Sequence, residues 1–140
     1  MATIFSRIIS GDLPGTFVWR DEACVAFLSI NPLAPGHTLV VPIAEVDQWT
    51  DLPAEAVVHL TTVSHVIGRA QKRAFSCERV GLIIAGFEVP HVHLHVVPTV
   101  SMAQLNFANA AASVSAAELQ DSADRLRGAL LDLGRAEVAS

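Results

Sequence analysis

Three histidines occupy alternate positions in one apolar run, His91-Val92-His93-Leu94-His95-Val96-Val97-Pro98. Six histidines scattered at random over 140 residues would produce this spacing about once in a hundred such chains. Val92, Leu94, Val96 and Val97 favour extended backbone. A strand sends alternate side chains to opposite faces, with same-face neighbours about 6.6–6.8 Å apart. The run therefore predicts a strand over Val92–Val97, with imidazoles along one face and Val92, Leu94 and Val96 in a core on the other. Pro98 has no N–H for a ladder and is expected to end or edge the strand.

Imidazole is the side chain that changes charge near neutral pH. A row of three offers a nucleophile, a proton donor and an orienting neighbour. The same row offers the ligands of a His₃ metal site, or it is simply the solvated face of a half-buried strand. Spacing alone leaves all three open.

Charge narrows the partners. The formal net charge is −5, and no Lys or Arg occurs from Val80 through Asp124. That argues against nucleic acid, whose binders carry a basic footprint. An anion near the row has to be held by backbone N–H groups, hydroxyls and imidazolium rather than by an Arg clamp. The longest apolar run, Val80–Phe87, is strand-sized and predicts no membrane span. Arg7 and Asp12 interrupt the first fifteen residues, so no signal peptide is expected. Cys24 and Cys77 form no C-x-x-C pair and read as reduced thiols of a cytoplasmic protein. The hydrophobic share of 51% is high and suits a subunit interface.

Ile4, Phe5, Ile8 and Ile9 predict a short helix over Thr3–Ser10, followed by a Gly11–Gly15 turn. Thr16–Trp19 and Cys24–Leu28 read as a hairpin, and His37–Val41 as a third strand stopped by Pro42. Val57, Leu60, Val63, Ile67, Ala70 and Ala74 step by three and four through a main helix, Asp51–Ala74, with Pro53 in its first turn. His59 and His65 belong to that helix and are read as ordinary helix residues. Arg79–Ala85 is the fourth strand. Ala108–Ser115 reads as a loop. Ser115 and Glu118 form a capping box for a C-terminal helix marked by Leu119, Ala123, Leu126, Leu130 and Leu133 and closed by Gly134. His37–Pro42 and His93–Pro98 share the pattern H-x-x-V-V-P, an echo that leaves open whether the two strands pair. Together these elements predict one α+β domain over residues 1–140, with helices to one side of the strands. Residues 1–100 form its core, and 101–140 are a loop plus the C-terminal helix.

At this level the chain resembles the histidine-triad (HIT) family, whose signature is H-x-H-x-H followed by apolar residues. Thr3–Pro14 resembles the start of its Hint-like nucleotide-binding branch. Ala26–Pro32 and Pro35–Pro42 resemble its middle. The resemblance runs from about Thr3 to Pro98. It implies a five-stranded antiparallel sheet, commonly in a homodimer, that binds a purine nucleotide conjugate and cleaves it at the α-phosphate. His93 would be the nucleophile that takes the nucleotidyl group. His95, protonated, would stabilise phosphate oxygen and supply a proton to the leaving group. His91 and His37 would orient the row. Ile4, Phe5, Ile8, Phe27 and Ile30 fall where the family sandwiches base and sugar, and Gly86 falls in the loop that precedes the row. The scheme needs no metal and no cofactor.

Several positions depart from the family pattern. Thr3 and Ser6 stand where some bacterial relatives carry a cysteine pair, so no structural zinc is expected. Ser29 replaces an Asp that holds ribose hydroxyls. The loop before the row is shortened to Ala85–Pro90, and Glu88 replaces a phosphate-contacting Ser or Thr. Glu88 reads either as an exposed loop carboxylate or as a reader of an amine on the leaving group. A nucleotide hydrolase is the leading reading. A nucleotide-binding sensor with little turnover and a His₃ metal protein are the alternatives.

Overall fold

The computed structural model describes residues 2–140. Its elements are α1 (Ile4–Ser10), β1 (Phe17–Arg20), β2 (Cys24–Leu28), β3 (Thr38–Pro42), α2 (Ala54–Ala74), β4 (Arg79–Ile84), β5 (Leu94–Thr99) and α3 (Ala116–Asp132). Short 3₁₀ turns cover Trp49–Asp51, Met102–Leu105 and Phe107–Asn109. The strands form one antiparallel sheet in the order β1-β2-β3-β5-β4. This is the α+β architecture expected from the sequence.

Local chemistry sets the element ends. The Thr3 hydroxyl accepts from the Ser6 N–H to cap α1, and Gly11 closes it at φ 91°, a conformation that costs a glycine little. The Asp21 carboxylate accepts from the N–H groups of Ala23 and Cys24 and from Trp19 Nε1, which shapes the β1–β2 turn. Ser115 caps α3 by accepting from the Glu118 N–H. Pro53 precedes α2 as its cap rather than lying in its first turn.

The two H-x-x-V-V-P segments do pair. β3 and β5 are antiparallel neighbours, with Leu39 opposite His95. The ladder runs only from Thr38↔Val96 to Val40↔Leu94, so Pro42 and Pro98 both lie beyond it and their missing N–H groups interrupt nothing there. Pro98 therefore neither ends nor edges its strand: β5 runs on to Thr99 in an interior position between β3 and β4. The strand also begins at Leu94 rather than Val92.

The helices do not all lie on one side of the sheet. Leu60, Val63, Ile67 and Ala70 of α2 and Leu126 and Leu130 of α3 pack with Ala26, Val40, Val92, Leu94 and Val96 on one face. On the other face, Phe5 and Ile8 of α1 pack with Val25, Phe27, Leu39 and Val41. β2, β3 and β5 are thus buried on both faces. The histidine row lies on the α1 face, among packed side chains rather than in water.

Candidate active site

His37 immediately precedes β3, while His91 and His93 lead into β5 and His95 lies within it. All four are buried, with 0–6% of their surface exposed. The solvated-face reading of the row is therefore excluded.

The hydrogen bonds assign the protons. The Leu33 N–H donates to His37 Nδ1 over 3.0 Å, so His37 carries its proton on Nε2. That Nε2–H faces His95 Nδ1 at 3.0 Å. His95 Nδ1 is therefore an acceptor, and its own proton sits on Nε2. His95 Nε2 is buried and has no partner among the described residues. Burial, reinforced by charge on His95 and His93, pushes His37 down to about 3; burial and charge on His93 push His95 down to about 4, against an opposing pull from Glu88. His95 is thus a neutral hydrogen-bond donor near pH 7, not the protonated acid expected from the sequence.

His93 is held differently. Its Nδ1 lies 2.7 Å from the His91 carbonyl, which can only accept, so Nδ1 carries a proton and Nε2 turns outward. His91 is fixed in turn: its Nε2–H donates to the Pro42 carbonyl at 2.8 Å, and its Nδ1 accepts from the Thr3 hydroxyl at 2.8 Å. Ser6 and Glu45 extend this network, with the Ser6 hydroxyl donating to Glu45 Oε1. The His93 ring packs edge-on against Phe5 and His95, each 4.9 Å away between centroids.

Glu88 is the exposed loop carboxylate expected, but it is not free of contacts. Its Oε2 lies 3.2 Å from His93 Nε2, and its Oε1 lies 4.0 Å from His95 Nε2. Burial opposes its ionisation, but its own backbone N–H and the two imidazoles outweigh this and hold it below the usual carboxylate range.

His37, Glu88, His93 and His95 line a cavity of about 600 Å³, which His91 does not reach. Ile4, Phe5, Ile8, Phe27, Ile30 and Leu39 contribute to its apolar lining, and Ser29 also reaches it. The Ser29 hydroxyl accepts from the Asn31 N–H. Gly86, expected here, does not line the cavity. At φ 99° it shapes the loop that delivers Glu88, in a backbone conformation that favours glycine. A larger groove of about 960 Å³ shares His37 but reaches neither His93 nor His95.

The segment after Ser101, which lies beyond the stretch that carries the family resemblance, also reaches the site. Phe107 covers the His95 ring at 4.8 Å between centroids, and Ala110 and Leu119 reach the same cavity. The Ala111 N–H donates to the Pro32 carbonyl, and Asn31 Nδ2 donates to the carbonyls of Ala111 and Ala112, which tether the segment.

Glu88, His93 and His95 present possible metal-ligating atoms within 4.8 Å of one another. Their protons do not suit a metal. A bound ion needs a bare lone pair at His95 Nε2, whereas Leu33 and His37 together place a proton there. Asp21, Cys24 and His59 form a second such group. There the carboxylate already accepts from Trp19, Ala23 and Cys24, and burial pushes the Cys24 thiol up, away from the thiolate a metal needs.

Residues 10–102 match the HIT domain family model. An uncharacterised HIT-like protein of Methanocaldococcus jannaschii is 35% identical over 68% of this chain and 77% of its own length. The purine nucleoside phosphoramidase of Escherichia coli is 33% identical over 67% of this chain and 84% of its own length. The crystal structure of a zinc-bound histidine triad family protein from Mycobacterium smegmatis superposes with a TM-score of 0.81 at 31% identity, covering 96% of each chain.

Proposed function

The chain belongs to the HIT domain family, and from that premise we propose that it is a nucleotide hydrolase. It takes a purine nucleotide conjugate, a phosphoramidate or a dinucleoside polyphosphate, and cleaves it at the α-phosphate. Within the family we place it in the Hint-like branch, on Thr3–Pro14 and on a histidine, His95, as third member of the row. The name of the E. coli relative supports the phosphoramidate class.

One observation carries this reading: the 2.7 Å contact that ties His93 Nδ1 to the His91 carbonyl. It commits the remaining ring nitrogen, Nε2, to the cavity as the atom that attacks phosphorus. A phosphoimidazole is labile, so attack and later hydrolysis replace one hard step with two easier ones. His95 Nε2–H is an unpartnered donor at the same place, suited to a phosphate oxygen that gains charge in the transition state. His37 orients His95, and His91 orients His93. Phe5, Phe27, Ile4, Ile8 and Ile30 give the base an apolar seat, with Ser29 toward the sugar.

We further propose a homodimer joined along β4. This strand is a sheet edge, and its Leu82 is 48% exposed; an uncovered apolar edge of this kind invites a second strand. Two free cysteines, Cys24 and Cys77, suit a reducing compartment such as the cytoplasm.

A turnover assay over adenosine phosphoramidates and dinucleoside polyphosphates tests the hydrolase reading. Release of AMP that disappears in His93→Ala supports it. Tight nucleotide binding without turnover of any of them makes the protein a sensor instead.

A further inference from the structure

The site as described has no donor for the leaving group. An amine leaves phosphorus only with a proton on its nitrogen, because an amide anion is far too basic to depart. His95 holds one proton at Nε2 but cannot hand it on. Its Nδ1 already accepts from His37, and His37 Nδ1 already accepts from Leu33, so the loss would leave an imidazolate. His91 directs its Nε2–H into the Pro42 carbonyl. Among the described residues, no Lys or Arg lines the cavity, and Glu88 is its one carboxylate.

The contact between Glu88 and His93 also requires a proton. With Nδ1–H committed to the His91 carbonyl, a neutral His93 presents a lone pair at Nε2. An ionised carboxylate presents only lone pairs as well. At 3.2 Å the two attract only if one proton lies between them. Before His93 can attack phosphorus, that proton has to leave Nε2. The acceptor already in contact with it is Glu88.

We propose that Glu88 is the acid–base catalyst of this site, taking the proton that uncovers His93 Nε2 and delivering it to the departing amine. The proposal rests on the hydrolase reading above. As the Nε2 electron pair bonds phosphorus, the shared proton passes to Glu88. The bond from phosphorus to the amine nitrogen breaks, its electron pair stays on nitrogen, and Glu88 protonates that nitrogen. The carboxylate then takes a proton from a water molecule whose oxygen attacks phosphorus. The bond from phosphorus to Nε2 breaks, its electron pair returns to His93, and the proton on Glu88 restores the shared pair.

This sequence also resolves the placement of a carboxylate beside a phosphate. Glu88 is neutral while phosphorus is closest to His93, so the like-charge repulsion of a fixed carboxylate is absent at that moment. Its side chain is 46% exposed, which gives it room to swing from His93 toward the leaving group.

The test compares two leaving groups on AMP: a primary alkylamine, which needs a proton to leave, and 4-nitrophenol, which departs as a stable anion. The readout is the ratio of kcat/KM for the amide over the ester, which reports the first chemical step alone. In Glu88→Gln this ratio should fall about 100-fold, and in Glu88→Ala added formate should recover part of the amide cleavage. A ratio unchanged from wild type in Glu88→Gln overturns the proposal, whether both activities fall together or neither falls. If wild type cleaves the ester through His93 and the ratio does not move, only the role of Glu88 is lost. If wild type cleaves neither substrate, the hydrolase reading fails and takes the proposal with it.

Discussion

His37 Nε2 lies 3.0 Å from His95 Nδ1, and the Leu33 N–H on the far side of His37 decides which ring carries the proton. A residue 58 positions away in sequence thus sets the tautomer of His95. His95 becomes a fixed donor, and its Nε2 is closed to metal ions.

Zinc sensitivity follows from that relay. In wild type, a chelator should leave turnover unchanged, and zinc should inhibit weakly. His37→Ala frees His95 to move its proton to Nδ1 and offer Nε2 to a metal alongside His93 and Glu88. Its zinc inhibition constant should drop by about tenfold or more, measured by titrating zinc into the AMP-release assay.

The buried imidazoles make stability fall in acid. Both titrate near 6.5 in the unfolded chain, but folding lowers His37 to about 3 and His95 to about 4. Below pH 6.5 the unfolded state therefore binds more protons. Their contribution is fully present above pH 6.5 and is lost as pH falls through the range down to 4 and 3. Urea denaturation should show a loss on the order of a few kcal/mol between pH 7 and pH 4. His37→Gln should flatten that slope.

Phe107 shields His95 from water across 4.8 Å. Phe107→Ala should hydrate the ring and move its titration from about 4 back toward the ordinary histidine range, followed by the His95 ring-proton shifts in NMR. The same change should lower kcat/KM by about tenfold by loosening the donor.

Thr3 serves both helix and site, since its hydroxyl caps α1 and donates to His91 Nδ1. Thr3→Val should cost about 1–3 kcal/mol in urea denaturation, from the lost cap and a buried acceptor left unpaired. Thr3→Ser should restore most of it.

The sheet and the histidine row were readable because their signals are local. Alternation and β-branching mark the strand that His93 leads into without knowledge of its neighbours. The echo between His37–Pro42 and His93–Pro98 left pairing open, and the β3–β5 register answers it. What was not legible depends on contacts distant in sequence. Phe107 sits in a stretch of small polar residues, and nothing beside it shows that the chain folds back over His95. Burial on both sheet faces arises because α1 covers the side that the alternating pattern left for solvent. Pro98 misled for a similar reason: whether a missing N–H matters depends on where the β3–β5 ladder stops. Glu88 was visible as an anomaly near the phosphate position, but its contact with His93 Nε2 appears only when the loop is seen in three dimensions.

Covalent nucleotidyl transfer to His93 is the central claim, and mass spectrometry of the intermediate tests it most directly. Wild-type protein is mixed with an adenosine 5′-phosphoramidate, quenched within milliseconds and digested under mildly basic conditions that spare phosphohistidine. The expected product is an adenylyl group on the peptide containing His93, localised to His93 rather than His91 or His95 and absent from His93→Ala. AMP released at full rate by His93→Ala, or an adduct on His95 instead, would contradict the claim.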